Sequence, residues 1–252
     1  MRLDKIKSIR DKLKNSKYSI GTWQQIPNAS ISEILGNSDY DWVAIDMEHG
    51  SIGVDQLPDL FRAIELGNTL PLVRLGEGQD CKQALDAGAG GVIVPMIKNA
   101  EQLELVKKTC CWPPAGIRSV GFSRANLFGK YFDQYADEAQ SPILVAMIEH
   151  ADSINNLKQI LQVEGLDAIF IGPYDLSASL GITSSFDHPK FISAMQQILK
   201  LAKEYGIPAG IHVVQPSQKE LLQRIDEGYT FIAYSIDAVI LNRYSKNPIS
   251  VN

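Results

Sequence analysis

Short apolar runs rich in valine and isoleucine recur eight times along the chain. Most of the runs are continuous rather than alternating in polarity, as in parallel strands that are covered on both faces. The sequence therefore predicts eight buried β-strands. The runs occupy residues 18–23, 42–46, 70–75, 90–96, 143–149, 166–172, 207–214 and 229–236.

Between these runs, apolar residues return every three or four positions, which is the spacing of one helix face. Gly88, Gly206 and Gly228 each close such a segment just before a strand, where the C-terminal cap of a helix favours a left-handed residue. We therefore predict a helix between most pairs of strands. The helical segments are residues 30–35, 56–66, 81–88, 100–108, 154–162, 190–206 and 218–228.

Eight alternations of strand and helix indicate an α/β protein with a parallel sheet and favour a closed (β/α)8 TIM barrel. A doubly wound open sheet is the competing architecture. That fold usually carries a glycine-rich phosphate turn after its first strand, and residues 21–25, GTWQQ, are not such a turn. We therefore expect residues 1–252 to form a single TIM-barrel domain.

The first segment of the chain is basic and places Leu3, Ile6, Ile9 and Leu13 at near-helical spacing. A basic amphipathic helix can meet a membrane or an acidic partner. Because the apolar stripe is narrow, an N-terminal helix that caps the barrel and keeps a solvated face is the favoured interpretation.

Composition and charge mainly exclude classes of protein. Of the 252 residues, 45% are hydrophobic and 21% are charged, which excludes a disordered chain. No apolar run approaches the roughly 18 residues of a membrane span, and a formal net charge of −5 offers no basic surface for nucleic acid. Three cysteines without CxxC spacing and an N-terminus unlike a secretory signal lead us to expect a cytoplasmic protein.

Two gaps between predicted strands are longer than the others, at residues 97–142 and 173–206. Active sites of (β/α)8 barrels are built from the loops that follow the strands, at the end of the barrel called the mouth below. We expect both gaps to contribute long loops to that mouth.

Charged and polar residues stand at the ends of several predicted strands, although a purely structural strand needs none of them. Since the ends of parallel strands meet at the mouth, their convergence predicts a functional site there. These residues are Asp46, Glu48 and His49 after the second run, Arg74 in the third, Glu149 after the fifth, Asp175 after the sixth, His212 in the seventh and Asp237 after the eighth.

Glu149 and Asp175 follow consecutive strands, so their carboxylates can approach each other. Two carboxylates with further positions open to water and substrate suit Mg²⁺ or Mn²⁺, whereas a structural zinc site requires four Cys or His ligands. Glycoside hydrolysis also uses paired carboxylates. Sugar sites are usually lined by aromatic residues, and here only Trp23 and Tyr174 qualify, so a metal site is the favoured interpretation.

His49 is a natural general base near neutral pH. Its alternative role is to orient other site residues without contacting the substrate, or to pack in the core. Glu48 and His49 are adjacent and would point to opposite faces of a regular strand, so the sequence leaves open which of them enters the site. Arg74 is either an inward-pointing clamp for an anionic substrate or the partner of a buried carboxylate such as Glu48.

Seven segments together resemble the metal-dependent class II pyruvate aldolases that cleave 4-hydroxy-2-oxo acids. That family includes the 4-hydroxy-2-oxoheptane-1,7-dioate aldolases and the 2-keto-3-deoxy sugar-acid aldolases. The resemblance extends from about residue 20 to about residue 240. The segments are IDMEHG (45–50), PLVRL (71–75), VPMIKNAEQ (94–102), WPPAGIRSVG (112–121), MIE (147–149), VEGLDAIFIGPYDLSASLG (163–181) and HP (188–189).

The resemblance implies cleavage of a 4-hydroxy-2-oxo acid to pyruvate and an aldehyde through a metal-bound enolate of pyruvate. By position, Glu149 and Asp175 would hold the divalent ion, which would be Mg²⁺ or Mn²⁺, with Co²⁺ as a further candidate. His49 would be the catalytic base, oriented by Asp86, and Arg74 would stabilise the enolate.

The same resemblance assigns the substrate contacts. Backbone N–H groups from Gly172 through Pro173 and Tyr174 to Asp175 would receive the substrate carboxylate. The expected partners are a small 2-oxo acid and an aldehyde, together with further copies of the chain in a homo-oligomer, a hexamer or a trimer.

Two residues depart from the family's pattern. Met147 stands where the family usually has a glutamine near the metal and pyruvate, and His212 stands where relatives commonly carry an aliphatic residue. Together with Trp23, both are expected to be substrate-binding residues. A loss and a gain of polarity at one mouth indicate a changed substrate.

Two other functions stay open on the sequence. One is a related barrel lyase that uses the same metal and enolate on an acyl-CoA or phosphoenolpyruvate-type substrate, with Arg118 and Arg124 as candidates for its phosphate contacts. The other is a non-catalytic barrel that binds a small acid or a protein partner.

Overall fold

Eight parallel strands close into one barrel in a computed structural model that describes residues 2–76, 78–247 and 249. Each strand pairs with the next along the chain, and the eighth pairs with the first. Every predicted apolar run overlaps one strand, so the (β/α)8 prediction is confirmed. The strands are β1 Ser19–Gln24, β2 Trp42–Asp46, β3 Leu70–Arg74, β4 Gly91–Val94, β5 Ile143–Ile148, β6 Ala168–Ile171, β7 Ala209–Val213 and β8 Phe231–Ile236.

Helices surround this barrel, and each predicted helical segment overlaps at least one of them. Gly88, Gly206 and Gly228 adopt positive φ angles of 110°, 69° and 101°, as expected for left-handed caps. The helices are α1 Arg2–Lys14, α2 Ala29–Gly36, α3 Leu57–Leu66, α4 Cys81–Ala87, α5 Ala100–Cys110, α6 Phe132–Ala139, α7 Ala151–Asn155, α8 Leu157–Ile160, α9 Pro173–Ser179, α10 Pro189–Tyr205, α11 Gln218–Asp226 and α12 Asp237–Tyr244.

One helix boundary differs from the prediction. The pattern at 154–162 predicts a single helix, but the structure has two short helices, α7 and α8, that meet at Asn156. The side-chain amide of Asn156 donates to the backbone oxygen of Lys98 at 3.0 Å. This tertiary hydrogen bond fixes the junction against the neighbouring loop.

The N-terminal helix caps the end of the barrel where the strands begin. Ile6, Ile9 and Leu13 of α1 are buried in the inner core of the barrel, in one cluster with the first residues of several strands. Arg10 of α1 adds an ion pair with Asp167, with an N···O distance of 2.6 Å. The capping interpretation of this basic segment is therefore confirmed. None of the helices in the described ranges is long and apolar enough to cross a membrane.

The expectation that the gap 97–142 contributes a long loop to the mouth is wrong. Helix α5 follows β4 directly, so residues 111–142 come after that helix and before β5 begins. This places the segment at the capped end of the barrel, where Glu138 accepts a hydrogen bond of 2.7 Å from Arg2 of α1. Apolar periodicity shows where a helix lies, but it does not show how a long gap is divided between its two ends.

Packing at the capped end depends on a residue without a side chain. Trp42 and Phe231, the first residues of β2 and β8, stack inside the barrel with ring centroids 4.5 Å apart. A Cβ atom on Gly21 of β1 would lie 2.0 Å from Cδ2 of Trp42. The indole fills the space that a side chain at position 21 would occupy.

We therefore expect Gly21→Ala to lower the free energy of unfolding by about 3 kcal/mol, because the Trp42 ring must shift inside a packed core. Gly121→Ala is the matched control, since a Cβ atom there meets nothing within 4 Å and its φ angle is not positive. Urea unfolding of both variants measures the difference. Equal stability of the two variants would contradict the packing argument.

Candidate active site

A buried ion pair joins the ends of β2 and β3. Asp46 and Arg74 are register partners on the two strands, and Arg74 donates from Nε to Oδ1 at 2.8 Å and from Nη2 to Oδ2 at 2.6 Å. Burial alone would raise the pKa of Asp46, but the hydrogen bonds and charge of Arg74 outweigh it and hold that pKa below its usual value. Both groups therefore stay charged inside the barrel.

Arg74 also contacts two further side chains. Its Nη1 lies 2.9 Å from Oε2 of Glu48, and its guanidinium carbon lies 4.2 Å from the ring centroid of Trp23. Arg74 is thus the partner of buried carboxylates, which was one of its two predicted roles. Its planar fork is fixed by two carboxylates and an aromatic face.

The turn after β2 is organised by the same aspartate. Oδ1 of Asp46 accepts the backbone N–H groups of Glu48 at 3.1 Å and His49 at 3.2 Å, and Oδ2 accepts Nε2 of Gln25 at 2.8 Å. Glu48 turns toward Arg74, and His49 is exposed. The question that the sequence left open is answered for Glu48, which faces the ion pair.

Glu149 is a buried carboxylate with little positive charge around it. It follows β5, is 2% exposed, and its Oε1 accepts the backbone N–H of Met96 at 2.6 Å. Burial, with added repulsion from Glu48 and Asp175, raises the pKa of Glu149 to about 7. Its other oxygen, Oε2, lies close to Gly172, since a Cβ atom on that glycine would be only 2.5 Å from Oε2.

Residues 172–175 form the turn from β6 into α9. The amide of Gly172 donates to the oxygen of Ile148 at 3.4 Å, and Pro173 has no amide hydrogen. The expectation that these two residues donate to a substrate carboxylate is therefore wrong. The amides of Tyr174 and Asp175, in the first turn of α9, have no partner within the helix and keep that capacity.

The side chains of this turn lie at the surface of the mouth. Tyr174 is 59% exposed and packs edge-on against Phe186, with ring centroids 5.1 Å apart. Asp175 is exposed, and its charge is near enough to raise the pKa values of Glu149 and Glu48. The two predicted metal ligands thus face the same region of the mouth.

An aromatic group lies beside the ion pair on the inner face of the barrel. Trp23 is buried between Arg74 and His212, whose ring centroid lies 5.0 Å from that of Trp23. Met147 of β5 is buried in the same inner cluster. Burial, with a further contribution from the Arg74 charge, lowers the pKa of His212 to about 4, so its ring is neutral at physiological pH.

The structure does not bring Asp86 to His49. Asp86 lies in the last turn of α4, next to the start of β4 and so at the capped end of the barrel. Its carboxylate lies 3.4 Å from Nζ of Lys82 and 3.6 Å from Nη1 of Arg118. Within one chain, Asp86 and His49 therefore lie at opposite ends of the barrel, and the predicted contact between them is not formed.

Asp237, the last of the charged residues at the strand ends, has a structural role. Its carboxylate accepts the backbone N–H groups of Gln25 at 2.8 Å, Ile26 at 3.0 Å and Ala238 at 2.7 Å. These bonds join the end of β1 to the start of α12 beside the mouth.

Two contributors, Gln25 and Met96, could not be found from the sequence. Asp46 was among the predicted strand-end residues, but its pairing with Arg74 on the next strand was not predicted. Gln25 gave no comparable signal. Met96 acts through its backbone N–H, which it aims at Glu149 from a left-handed conformation with φ of 54°, and no side-chain pattern reports that.

The donor set at the mouth fits a divalent cation. One oxygen of Glu149 accepts the Met96 amide, and two more carboxylates, Glu48 and Asp175, raise its pKa by repulsion. A cation would relieve this accumulation of negative charge, and oxygen ligands suit Mg²⁺ and Mn²⁺. Within residues 2–76, 78–247 and 249, no three His, Cys, Asp or Glu residues form a complete metal cluster, so water and substrate would supply the remaining ligands.

Comparison with known proteins gives one consistent result. Residues 19–243 match the model of the HpcH/HpaI aldolase/citrate lyase family. The chain is 34% identical over 243 residues to the hydroxypyruvate/pyruvate aldolase of Roseobacter denitrificans, covering 94% of each protein. It is 33% identical over 235 residues to the 2-keto-3-deoxy-L-rhamnonate aldolase of Escherichia coli K12, covering 92% of this chain and 87% of that one.

A solved structure agrees with these relatives. An HpcH/HpaI aldolase/citrate lyase family protein from Burkholderia cenocepacia superimposes with a TM-score of 0.88 at 30% sequence identity. The match covers 94% of this chain and 96% of the other. The barrel and its connections are therefore shared along nearly the whole length of both proteins.

The pKa of Glu149 makes stability depend on pH. The group binds its proton more tightly in the folded protein, with a pKa of about 7, than at its ordinary value of 4.5. Its contribution to stability is therefore complete below pH 4.5 and is lost as the pH rises through about 7. We expect the free energy of unfolding of metal-free protein to fall by roughly 2–3 kcal/mol between pH 5 and pH 8.

Glu149→Gln should remove most of that pH dependence, whereas Glu164→Gln should keep it, because the Glu164 side chain is 97% exposed. Urea unfolding in the presence of a chelator, repeated across this pH range, measures the pH dependence of the free energy of unfolding for both variants. An equal pH dependence in wild-type protein and Glu149→Gln would show that Glu149 is not its source.

Proposed function

The chain belongs to the HpcH/HpaI aldolase/citrate lyase family, and on this premise we propose that it cleaves a 4-hydroxy-2-oxo acid to pyruvate and an aldehyde with the help of Mg²⁺ or Mn²⁺. As a member of a family whose named relatives are aldolases, it is a carbon–carbon lyase. The observation that carries the proposal is that one mouth holds both a buried carboxylate with a raised pKa, Glu149, and a fixed guanidinium, Arg74.

Glu149 and Asp175 would hold the metal ion, and the amides of Tyr174 and Asp175 would receive the carboxylate of the 2-oxo acid. A bound divalent ion supplies the positive charge that draws electrons from the C2 oxygen of the substrate. The Met96 amide keeps Glu149 in place, since it occupies one carboxylate oxygen and leaves the other directed at the mouth. Binding and orientation of the acid therefore come from backbone as well as side chains.

Arg74 and His49 divide the chemistry of bond cleavage. When the C3–C4 bond breaks, its electron pair moves toward the C2 oxygen, and the guanidinium of Arg74 stabilises the negative charge that develops there. His49 takes the proton of the 4-hydroxyl group, which becomes the carbonyl of the departing aldehyde. Protonation at C3 then gives pyruvate. Because Asp46 and Glu48 hold Arg74 in advance, little reorganisation is needed as the charge develops.

The acyl-CoA and phosphoenolpyruvate alternatives lose their phosphate contacts in this structure. Arg118 is buried at the capped end, with its Nη2 donating to the hydroxyl of Tyr135 at 3.0 Å. Arg124 pairs there with Glu65 and donates to the backbone oxygen of Ala87 at 2.8 Å. Neither arginine reaches the mouth, so a small acid is the substrate class that this site favours.

Removal of the metal tests the proposal directly. We expect a chelator to abolish pyruvate release from 4-hydroxy-2-oxo acids, and added Mn²⁺ or Mg²⁺ to restore it, because the positive charge that draws electrons from C2 is lost with the ion. Glu149→Gln should prevent the rescue at any practical metal concentration, and the exposed Glu164→Gln should behave as wild type. Pyruvate is followed with a coupled lactate dehydrogenase assay, and undiminished release after thorough chelation would refute the metal-dependent mechanism.

Arg74→Lys tests the role of the fixed guanidinium. Lysine keeps the charge but loses the two-point contact with Asp46, so we expect kcat to fall about 100-fold while the metal affinity stays within a few-fold. Arg62→Lys is the matched control, since Arg62 is an exposed partner of Asp59 on α3. Steady-state kinetics and Mn²⁺ titration separate the two effects, and an unchanged kcat in Arg74→Lys would remove Arg74 from the mechanism.

A further inference from the structure

His212 is the residue of β7 that solvent reaches. The other four residues of this strand are buried, whereas His212 is only partly buried. Its ring lies on the inner face of the barrel, near the mouth end of the strand, with centroids 5.0 Å from Trp23 and 6.5 Å from Phe170. The ring therefore lies beside the aromatic face on which Arg74 rests.

One ring nitrogen of His212 is committed to the protein. Nε2 lies 3.0 Å from the backbone oxygen of Ser235, and because a carbonyl only accepts, Nε2 carries the proton and donates it. Ser235 presents this oxygen from a left-handed conformation with φ of 58°. The ring orientation and the tautomer are thus fixed by the end of β8.

The other nitrogen is free to accept a hydrogen bond. Since the ring is neutral, with a pKa near 4, Nδ1 has no proton and offers one lone pair. No hydrogen bond joins Nδ1 to any of the described residues, and Nδ1 is not among the unpartnered polar atoms that the protein encloses completely. Nδ1 is therefore a fixed, neutral acceptor beside the aromatic rings of Trp23 and Phe170.

This acceptor lies close to Arg74, which contacts the substrate in the proposed reaction. Trp23 lies between the two groups, 4.2 Å from the guanidinium and 5.0 Å from the imidazole. We propose that an acid whose C2 oxygen meets Arg74 extends past Trp23, and that His212 selects aldehydes that carry a hydroxyl group by accepting the hydrogen bond of that hydroxyl at Nδ1. This inference rests on the proposed aldolase function.

A pair of aldehydes that differ by one hydroxyl group tests the inference. Glycolaldehyde and acetaldehyde are each offered with pyruvate and Mn²⁺, and the ratio of their kcat/KM values is measured. We expect His212→Gln to lower this ratio about five- to ten-fold, because glutamine can keep the donor to Ser235 but has no acceptor at the Nδ1 position. His212→Asn places an acceptor near Nδ1 and should restore much of the ratio.

Phe170→Leu is the control for a merely structural effect. Phe170 packs beside the His212 ring and has no polar atom, so its truncation should change the rates with both aldehydes by the same factor. His212→Leu with an unchanged melting temperature serves as a second, apolar variant. Thermal unfolding of each protein confirms that the variants compared are folded.

The outcomes distinguish the proposed aldolase function from the proposed role of His212. If the wild-type enzyme joins pyruvate to neither aldehyde nor to longer hydroxylated ones, the proposed function itself is refuted. If the wild-type enzyme is active and His212→Gln lowers the rates with both aldehydes equally, the aldolase proposal stands and the selection by His212 is refuted. A ratio of kcat/KM values that falls in His212→Gln and His212→Leu and returns in His212→Asn supports the selection by His212.

Discussion

The ion pair between Asp46 and Arg74 is the contact on which the rest of the mouth depends. Both groups are buried, and an unpaired charge there would cost several kcal/mol, so each is tolerable only because the other is present. The same carboxylate accepts hydrogen bonds from Gln25 and from the turn that carries Glu48 and His49. One aspartate thereby joins β1, β2 and β3 and fixes the orientation of the guanidinium that faces the substrate.

Charge compensation differs between the two sides of the mouth. On one side Arg74 is matched by Asp46 and Glu48, and burial of these groups is offset by short hydrogen bonds. On the other side, burial and the repulsion of Glu48 and Asp175 outweigh the amide of Met96 and the more distant charge of Arg74, so the pKa of Glu149 rises while that of Asp46 falls. A divalent cation held by Glu149 would relieve this accumulation of negative charge.

The barrel could be predicted from the sequence because its strands are covered on both faces and so appear as continuous apolar runs. The residues at the strand ends were found for a related reason, since a charge that follows a buried strand stands out. The role of Asp86 came from the family resemblance alone, and within one chain Asp86 lies at the capped end of the barrel, away from His49. The amide of Met96 and the carbonyl of Ser235 could not be predicted at all, because they act through backbone conformation and leave no trace in side-chain type.

Met96 and Ser235 also bear on how such a barrel can change its substrate. Each is a non-glycine residue with a positive φ angle, a conformation that costs on the order of 1 kcal/mol, and each uses its backbone to hold one side chain of the mouth. The opposite end of the barrel is closed by α1 and packed with aromatic rings. Stability and chemistry are thus assigned to different ends of the same strands. A substitution at the mouth that leaves the Asp46–Arg74 pair intact therefore does not touch the packing that holds the capped end together.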